Sequence, residues 1–102
     1  MYAAIRRYEG VDKARTEEIR RGITDDFLPM IREVPGYHGY WVVEAGDVIA
    51  TIGLFETQDD AEESTRMAAE FIKDHNLQDA IPKSPQVTAG EVTVAGAVHA
   101  LA

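Results

Sequence analysis

Residues 35–56, PGYHGYWVVEAGDVIATIGLFE, read as two strands joined by a tight turn at Gly46-Asp47. Pro35-Gly36 marks the turn into the first of them. Gly at the first central position and Asp at the second suit a two-residue type II′ turn. Strand side chains alternate between faces, and residues opposite each other in a hairpin share one. This register sets Glu44 opposite Ile49, Val42 opposite Thr51, Tyr40 opposite Gly53 and His38 opposite Phe55. The other face carries Val43 with Ala50, Trp41 with Ile52, and Gly39 with Leu54. That second face is wholly apolar, whereas the first mixes apolar groups with a His, a Tyr and a Thr. Neither is made for water. A longer turn would slip the register and exchange the partners.

Upstream, Tyr2–Tyr8 (YAAIRRY) alternates as a first strand and stops at Glu9-Gly10. Asp12 is a candidate N-cap for a helix reaching about Arg32, with Ile19, Ile23, Phe27 and Ile31 as one apolar stripe. Pro29 should kink this helix or end it near Leu28, because its ring clashes with the carbonyl four residues earlier. Downstream, residues 57–60 (TQDD) offer N-caps for a second helix running to His75 or Asn76. Its predicted inner stripe is Ala61, Thr65, Ala68, Ile72 and His75, with Phe71 beside it. Leu77 to Ile81 add one further turn before Pro82, and residues 86–95 (QVTAGEVTVA) read as a last strand with Gly90 as a candidate bulge.

The order β-α-β-β-α-β is the ferredoxin-like pattern of the α+β class. It predicts a four-stranded antiparallel sheet with both helices on one face. The first and third strands would be central and the first hairpin strand would lie at an edge. Residues 1–96 fit a single domain, followed by a small, apolar tail at 97–102. Two helices shelter one side of such a sheet, and the other side still presents apolar residues. An apolar surface of that extent exceeds what soluble monomers usually expose, so a second copy, sheet against sheet, is the expected cover.

Composition sets bounds on function. The chain of 102 residues has no cysteine, hence no disulfide, thiolate nucleophile or cysteine metal site, and a reducing cytoplasm is the expected setting. Its net charge of −8 argues against nucleic acid and anionic membrane as partners, both of which need Lys and Arg to neutralise phosphate. No run of about 18 apolar residues is long enough to span a bilayer. Strand-like sequence from Tyr2 onward reads as no leader. The three histidines have no metal-ligand spacing such as H-x-x-x-H, and there is no phosphate loop and no G-x-S-x-G elbow.

The element order, the passage Pro29…Pro35-Gly36-Tyr37 into an aromatic strand, and the step Phe55-Glu56-Thr57 into an acidic helix resemble the dimeric α/β-barrel superfamily. Within it the chain resembles small proteins of the antibiotic-biosynthesis-monooxygenase type over about residues 2 to 95. The resemblance implies a homodimer with a ligand pocket in each subunit between sheet and helices. It also implies a cofactor-independent oxygenation in which a small apolar or aromatic substrate gives electrons to O₂. The protein then supplies shape, a proton acceptor and hydrogen bonds to a developing oxyanion. Haem-degrading relatives use an Asn on the first strand and a Trp on the second helix, and this chain has neither.

Candidate catalytic residues under this reading are His75, placed by spacing on or beside the helix's inner stripe, and His38 at the start of an edge strand. Candidate substrate contacts are Tyr40, Thr51, Phe55 and Arg7. Arg6 and Arg7 point to opposite faces of a central strand, so one of them enters a covered layer. Either it forms an anion site for a carboxylate or phenolate, or it pairs with an acid on a neighbouring strand such as Glu91 or Glu56. The plainer reading of His38 is a solvated strand end, and of His75 a helix C-terminal residue favoured by the dipole. The alternative to an enzyme is a non-catalytic dimer of the same fold that binds a small molecule or stabilises an assembly.

Overall fold

The computed structural model describes residues 1–96. The tail, with His99, lies outside the described residues. Strands β1 (Tyr2–Tyr8), β2 (Tyr37–Ala45), β3 (Val48–Phe55) and β4 (Gln86–Glu91) form one antiparallel sheet in the order β2-β3-β1-β4. The first helical run lies between β1 and β2, and a long helix lies between β3 and β4, giving the expected ferredoxin-like α+β fold.

The hairpin folds in the predicted register. Ala45 pairs with Val48 across the two-residue turn, and Tyr40–Gly53, Val42–Thr51 and Trp41–Ile52 are partners. Gly46 has φ +60°, the sign that a II′ turn requires at its first central position. The register breaks at one place. Tyr37, not His38, lies opposite Phe55, so His38 is the extra residue of a β-bulge. Pro35-Gly36 turns the chain as expected, with Gly36 at φ +77° and its carbonyl accepting from the Glu56 amide.

Of the kink or end expected at Pro29, the first helical run shows no end. It consists of a 3₁₀ turn at Lys13–Arg15, α1 (Thr16–Gly22), a π turn at Ile23–Phe27 and α2 (Leu28–Ile31). Asp12 caps it by accepting from the Ala14 amide. The proline neither ends the helix nor leaves a broken bond. The helix widens one turn earlier, so that the Leu28 amide reaches the Ile23 carbonyl five residues back and Pro29 falls in the first turn of α2. A proline there needs no intrahelical donor. Ile19, Phe27 and Ile31 remain on the buried side.

The long helix α3 (Gln58–Asp74) is capped by Thr57, whose hydroxyl accepts from the Asp60 amide. It ends in a Schellman motif. Asn76 adopts φ +54°, its amide bonds the Lys73 carbonyl, and the Leu77 amide reaches back to Ile72. The buried stripe is rotated from the predicted one and runs Ala61, Ser64, Ala68, Phe71. Thr65 and Ile72 are half-buried, and His75 is exposed at the C-cap. A turn closed by the Ile81 amide on Leu77 precedes Pro82. β4 ends at Glu91, earlier than predicted, and pairs with β1 without a shift, so Gly90 is not a bulge.

The core lies between sheet and helices, around Phe27, Ile31, Phe55 and Phe71. The far side of the sheet is uncovered. Ile5 and Val43 are exposed there at 39% and 49%, while Trp41, Ile52 and Leu54 are half-buried. Trp41 lies over Gly39, where a Cβ would come within 2.5 Å of the indole. Among the described residues no helix is long and apolar enough to cross a membrane.

Candidate functional site

The sheet's covered face contains one residue whose chemistry the rest of the layer does not explain. Arg6, on central strand β1, pairs with Thr51 of β3, and both point into the sheet–helix layer. Arg6 has no exposed surface. Its Nη1 donates to Ser64 Oγ (3.3 Å) and Thr65 Oγ1 (3.1 Å) on α3, and its Nη2 donates to the Tyr40 hydroxyl (2.9 Å) on β2. The guanidinium carbon also stands 5.8 Å from the centre of the Tyr40 ring. Every one of these partners is neutral. Among the described residues Nε has no partner, and neither does the buried Thr51 hydroxyl.

The expected pairing of the inward arginine with Glu91 or Glu56 is therefore corrected. Glu56 instead meets His38 at 2.7 Å, and Glu91 lies opposite Tyr2 at the far end of the strand. A guanidinium keeps its charge at any accessible pH, and burial without a counter-ion costs several kcal/mol after relaxation.

Beside Arg6 the layer holds a small cavity of about 30 Å³, walled by Tyr8, Phe27, Tyr40, Thr51 and Phe71 among others. Its aromatic wall is tight. Phe27 packs on Tyr40 at 5.4 Å and edge-on to Phe71 at 5.3 Å. Tyr8 and Ile81 are shared with a larger cleft of about 440 Å³, which runs between α3, the 77–85 segment and β4. That size falls in the range of small-molecule sites. Tyr40 and Ile23 are shared with a cleft of about 360 Å³ on the opposite, β2 side. Burial pushes the Tyr8 phenol above its usual range; the Arg6 charge opposes the shift and nearby Tyr40 adds to it. Tyr8 thus stays protonated and able to donate.

Of the residues that sequence spacing suggested, Tyr40 and Thr51 stand together on the cavity wall. Phe55 is fully buried in the same layer, edge-on to Tyr37 at 6.2 Å, but does not line this cavity. Arg7 points to the uncovered face and pairs with Glu9 at 3.2 Å. His38, displaced by its bulge, bonds exposed Glu56, whose carboxyl the imidazole holds below the usual range. His75 stacks on Phe71 with ring centres 4.2 Å apart, and its two nitrogens meet the Phe71 carbonyl (3.1 Å) and Asp26 (2.9 Å). Phe71 stands between it and the cavity. Among the described residues no three metal-ligating side chains converge.

Sequence reasoning missed Arg6, Tyr8 and Ser64 as partners in one cluster. Parity carried the signal for the first two. With Thr51 on the covered face, its β1 partner and the residue two further along must share that face. Ser64 needed the true rotation of α3, which its neighbours Thr65 and Ala68 left open.

A sheet in this order with two helices on one face is the fold of solved structures assigned to the antibiotic biosynthesis monooxygenases. Solved structures with the same fold bear this out. A Nitrosomonas europaea protein of unknown function superposes with a TM-score of 0.74 at 14% identity, over 95% of this chain and 93% of that one. A Bordetella bronchiseptica protein assigned to the antibiotic biosynthesis monooxygenases gives 0.70 at 18%, over 91% and 97%. A Streptomyces coelicolor monooxygenase in complex with nanaomycin D gives 0.69 at 18%, over 95% and 89%. No protein-family sequence profile matches the chain, and no curated protein does.

Proposed function

We propose that this chain is one subunit of a cytoplasmic homodimer that oxygenates a small, largely apolar or aromatic molecule held between sheet and helices, without metal or flavin. The observation that carries the proposal is the buried Arg6 donating to the Tyr40 hydroxyl, with Tyr8 and Thr51 on the same cavity wall, in an apolar layer of a fold shared with monooxygenases. In such a reaction the substrate supplies the electrons. A phenol and O₂ give a quinone and water: one oxygen atom joins a ring carbon and the other leaves as water. The protein holds the ring, accepts a proton and stabilises the oxyanion that develops. The Tyr40 hydroxyl accepts from Arg6, which leaves its own proton free to donate to that oxyanion. The proposed proton acceptors, His75 behind the Phe71 wall and His38 on the β2 bulge, stand outside the cavity, so each would act through an intervening water rather than by touching the substrate.

Phe55 would support the apolar layer, and Arg7 would face the partner subunit rather than the substrate. The uncovered sheet face, with Trp41, Ile5 and Val43, supports the dimer.

Oxygen uptake tests the reaction. Over a panel of naphthols and tricyclic phenols, at least one member should consume O₂ one-to-one with quinone formed. Tyr40→Phe should slow it about tenfold or more. No uptake with any member, under conditions where one binds, would leave a non-catalytic binding dimer.

A further inference from the structure

We infer that the cleft between α3, the 77–85 segment and β4 binds an amphipathic acid, with an apolar body and one deprotonated oxygen (a carboxylate or a phenolate) whose counter-charge is Arg6. The inference deepens the ligand-binding part of the function proposed above and does not require catalysis.

Charge is the first ground. The chain has 18 acidic and 10 basic residues, yet among the described residues no acidic one lines this cleft of about 440 Å³. Lys83 stands on its rim and makes no ion pair among the described residues. Thr65, in its wall, is one of the two groups to which Arg6 Nη1 donates, the other being Ser64. The cleft thus has one cation at its mouth and another a single hydrogen bond behind its wall.

Valence is the second. A guanidinium carries five N–H groups, and three hydrogen bonds engage Arg6, none of them to a carboxylate. Nε has no acceptor among the described residues. A structural arginine at zero exposure would be expected to have an acid beside it, and the chain keeps its acids elsewhere. Ile72, Ile81 and Val87 give the cleft its apolar side, fitting the body of the ligand. On binding, the acid replaces Thr65 Oγ1 as the acceptor of Nη1, and Lys83 closes over the outer oxygen. No bond is made or broken.

The test compares 2-naphthoate with its neutral counterpart 2-naphthylmethanol by titration calorimetry on the full chain. 2-Naphthol is measured above and below its own ionisation to separate phenolate from carboxylate. Wild type should hold 2-naphthoate, or ionised naphthol, at least tenfold more tightly than the alcohol. Arg6→Met should abolish that preference, bringing the affinity for 2-naphthoate down to that for the alcohol, with its melting temperature and circular dichroism showing that it folds. Lys83→Ala should reduce the preference in part.

Equal affinity for the acid and the alcohol in wild type would overturn the anion site and leave the layer as a ligand site. Binding of neither probe would overturn both. Should Arg6→Met fail to fold, the wild-type comparison still decides, since it needs no variant. A folded Arg6→Met that retained the preference would overturn the role given to Arg6.

Discussion

The side chains that matter most here are the ones whose hydrogen bonds do not close. Thr51 buries a hydroxyl that has no partner among the described residues, so Thr51→Val, nearly equal in shape, should be neutral or stabilise the fold by up to about 1 kcal/mol. Urea unfolding would detect this, and a loss above about 1 kcal/mol would show that the hydroxyl has a partner after all. Tyr8 makes a pH prediction. Its folded-state pKa is raised by burial above the usual value near 10. Below pH 10 both folded and unfolded chains hold the proton, and the full stability is present. Above it the unfolded chain ionises first, so stability should fall as pH rises through the alkaline range. Tyr8→Phe should flatten that decline, as followed by the denaturation midpoint between pH 8 and about 11.

The elements show how far local rules carry and where they stop. Thr57→Ala removes the hydroxyl that accepts from the Asp60 amide and should cost about 1 kcal/mol, while Thr57→Gly should cost only a few tenths, by thermal or urea melts. That cap, the Asp12 cap and the Gly46 turn were all legible because each is decided by residues within a few positions. The hairpin register was legible for the same reason, from Ala45 back to Gly39. It failed at His38 because a bulge depends on what the chain must reach next, here the turn in which the Glu56 amide bonds Gly36. Pro29 was read as a kink or an end, and the helix disturbs its turn there without ending. The sequence shows the clash, but a π turn upstream is a remedy stabilised by packing Phe27 inside. The rotation of α3 was the costliest miss, since it hid Ser64 and moved His75 outward. A stripe of small residues has little apolar contrast, and Ala61 and Ala68 fit either rotation.

At the scale of the molecule, two helices over a four-stranded sheet leave the face of Ile5, Trp41, Val43, Ile52 and Leu54 without cover. If a second copy covers it, light scattering should give twice the 11.3 kDa chain mass at micromolar concentration. Trp41→Asp should return the mass to that of one chain or unfold it. A variant with wild-type mass and melting temperature would remove Trp41 from any buried layer. The candidate site is harder to read than the fold for a physical reason. Fold follows from periodicity, which repeats and so survives local error. The Arg6 cluster joins β1, β2 and α3 through single contacts between residues 34 and 59 positions apart.

The solitary charge of Arg6 has a bearing on the lifetime of the protein. A guanidinium sealed among neutral hydroxyls costs the fold stability, and an anion bound beside it, as inferred above, would also stabilise the native state. At a hundredfold excess over its dissociation constant such a molecule adds about 2.7 kcal/mol, enough to change several-fold how much protein survives proteolysis. Supply of the small molecule would then govern how long each copy endures.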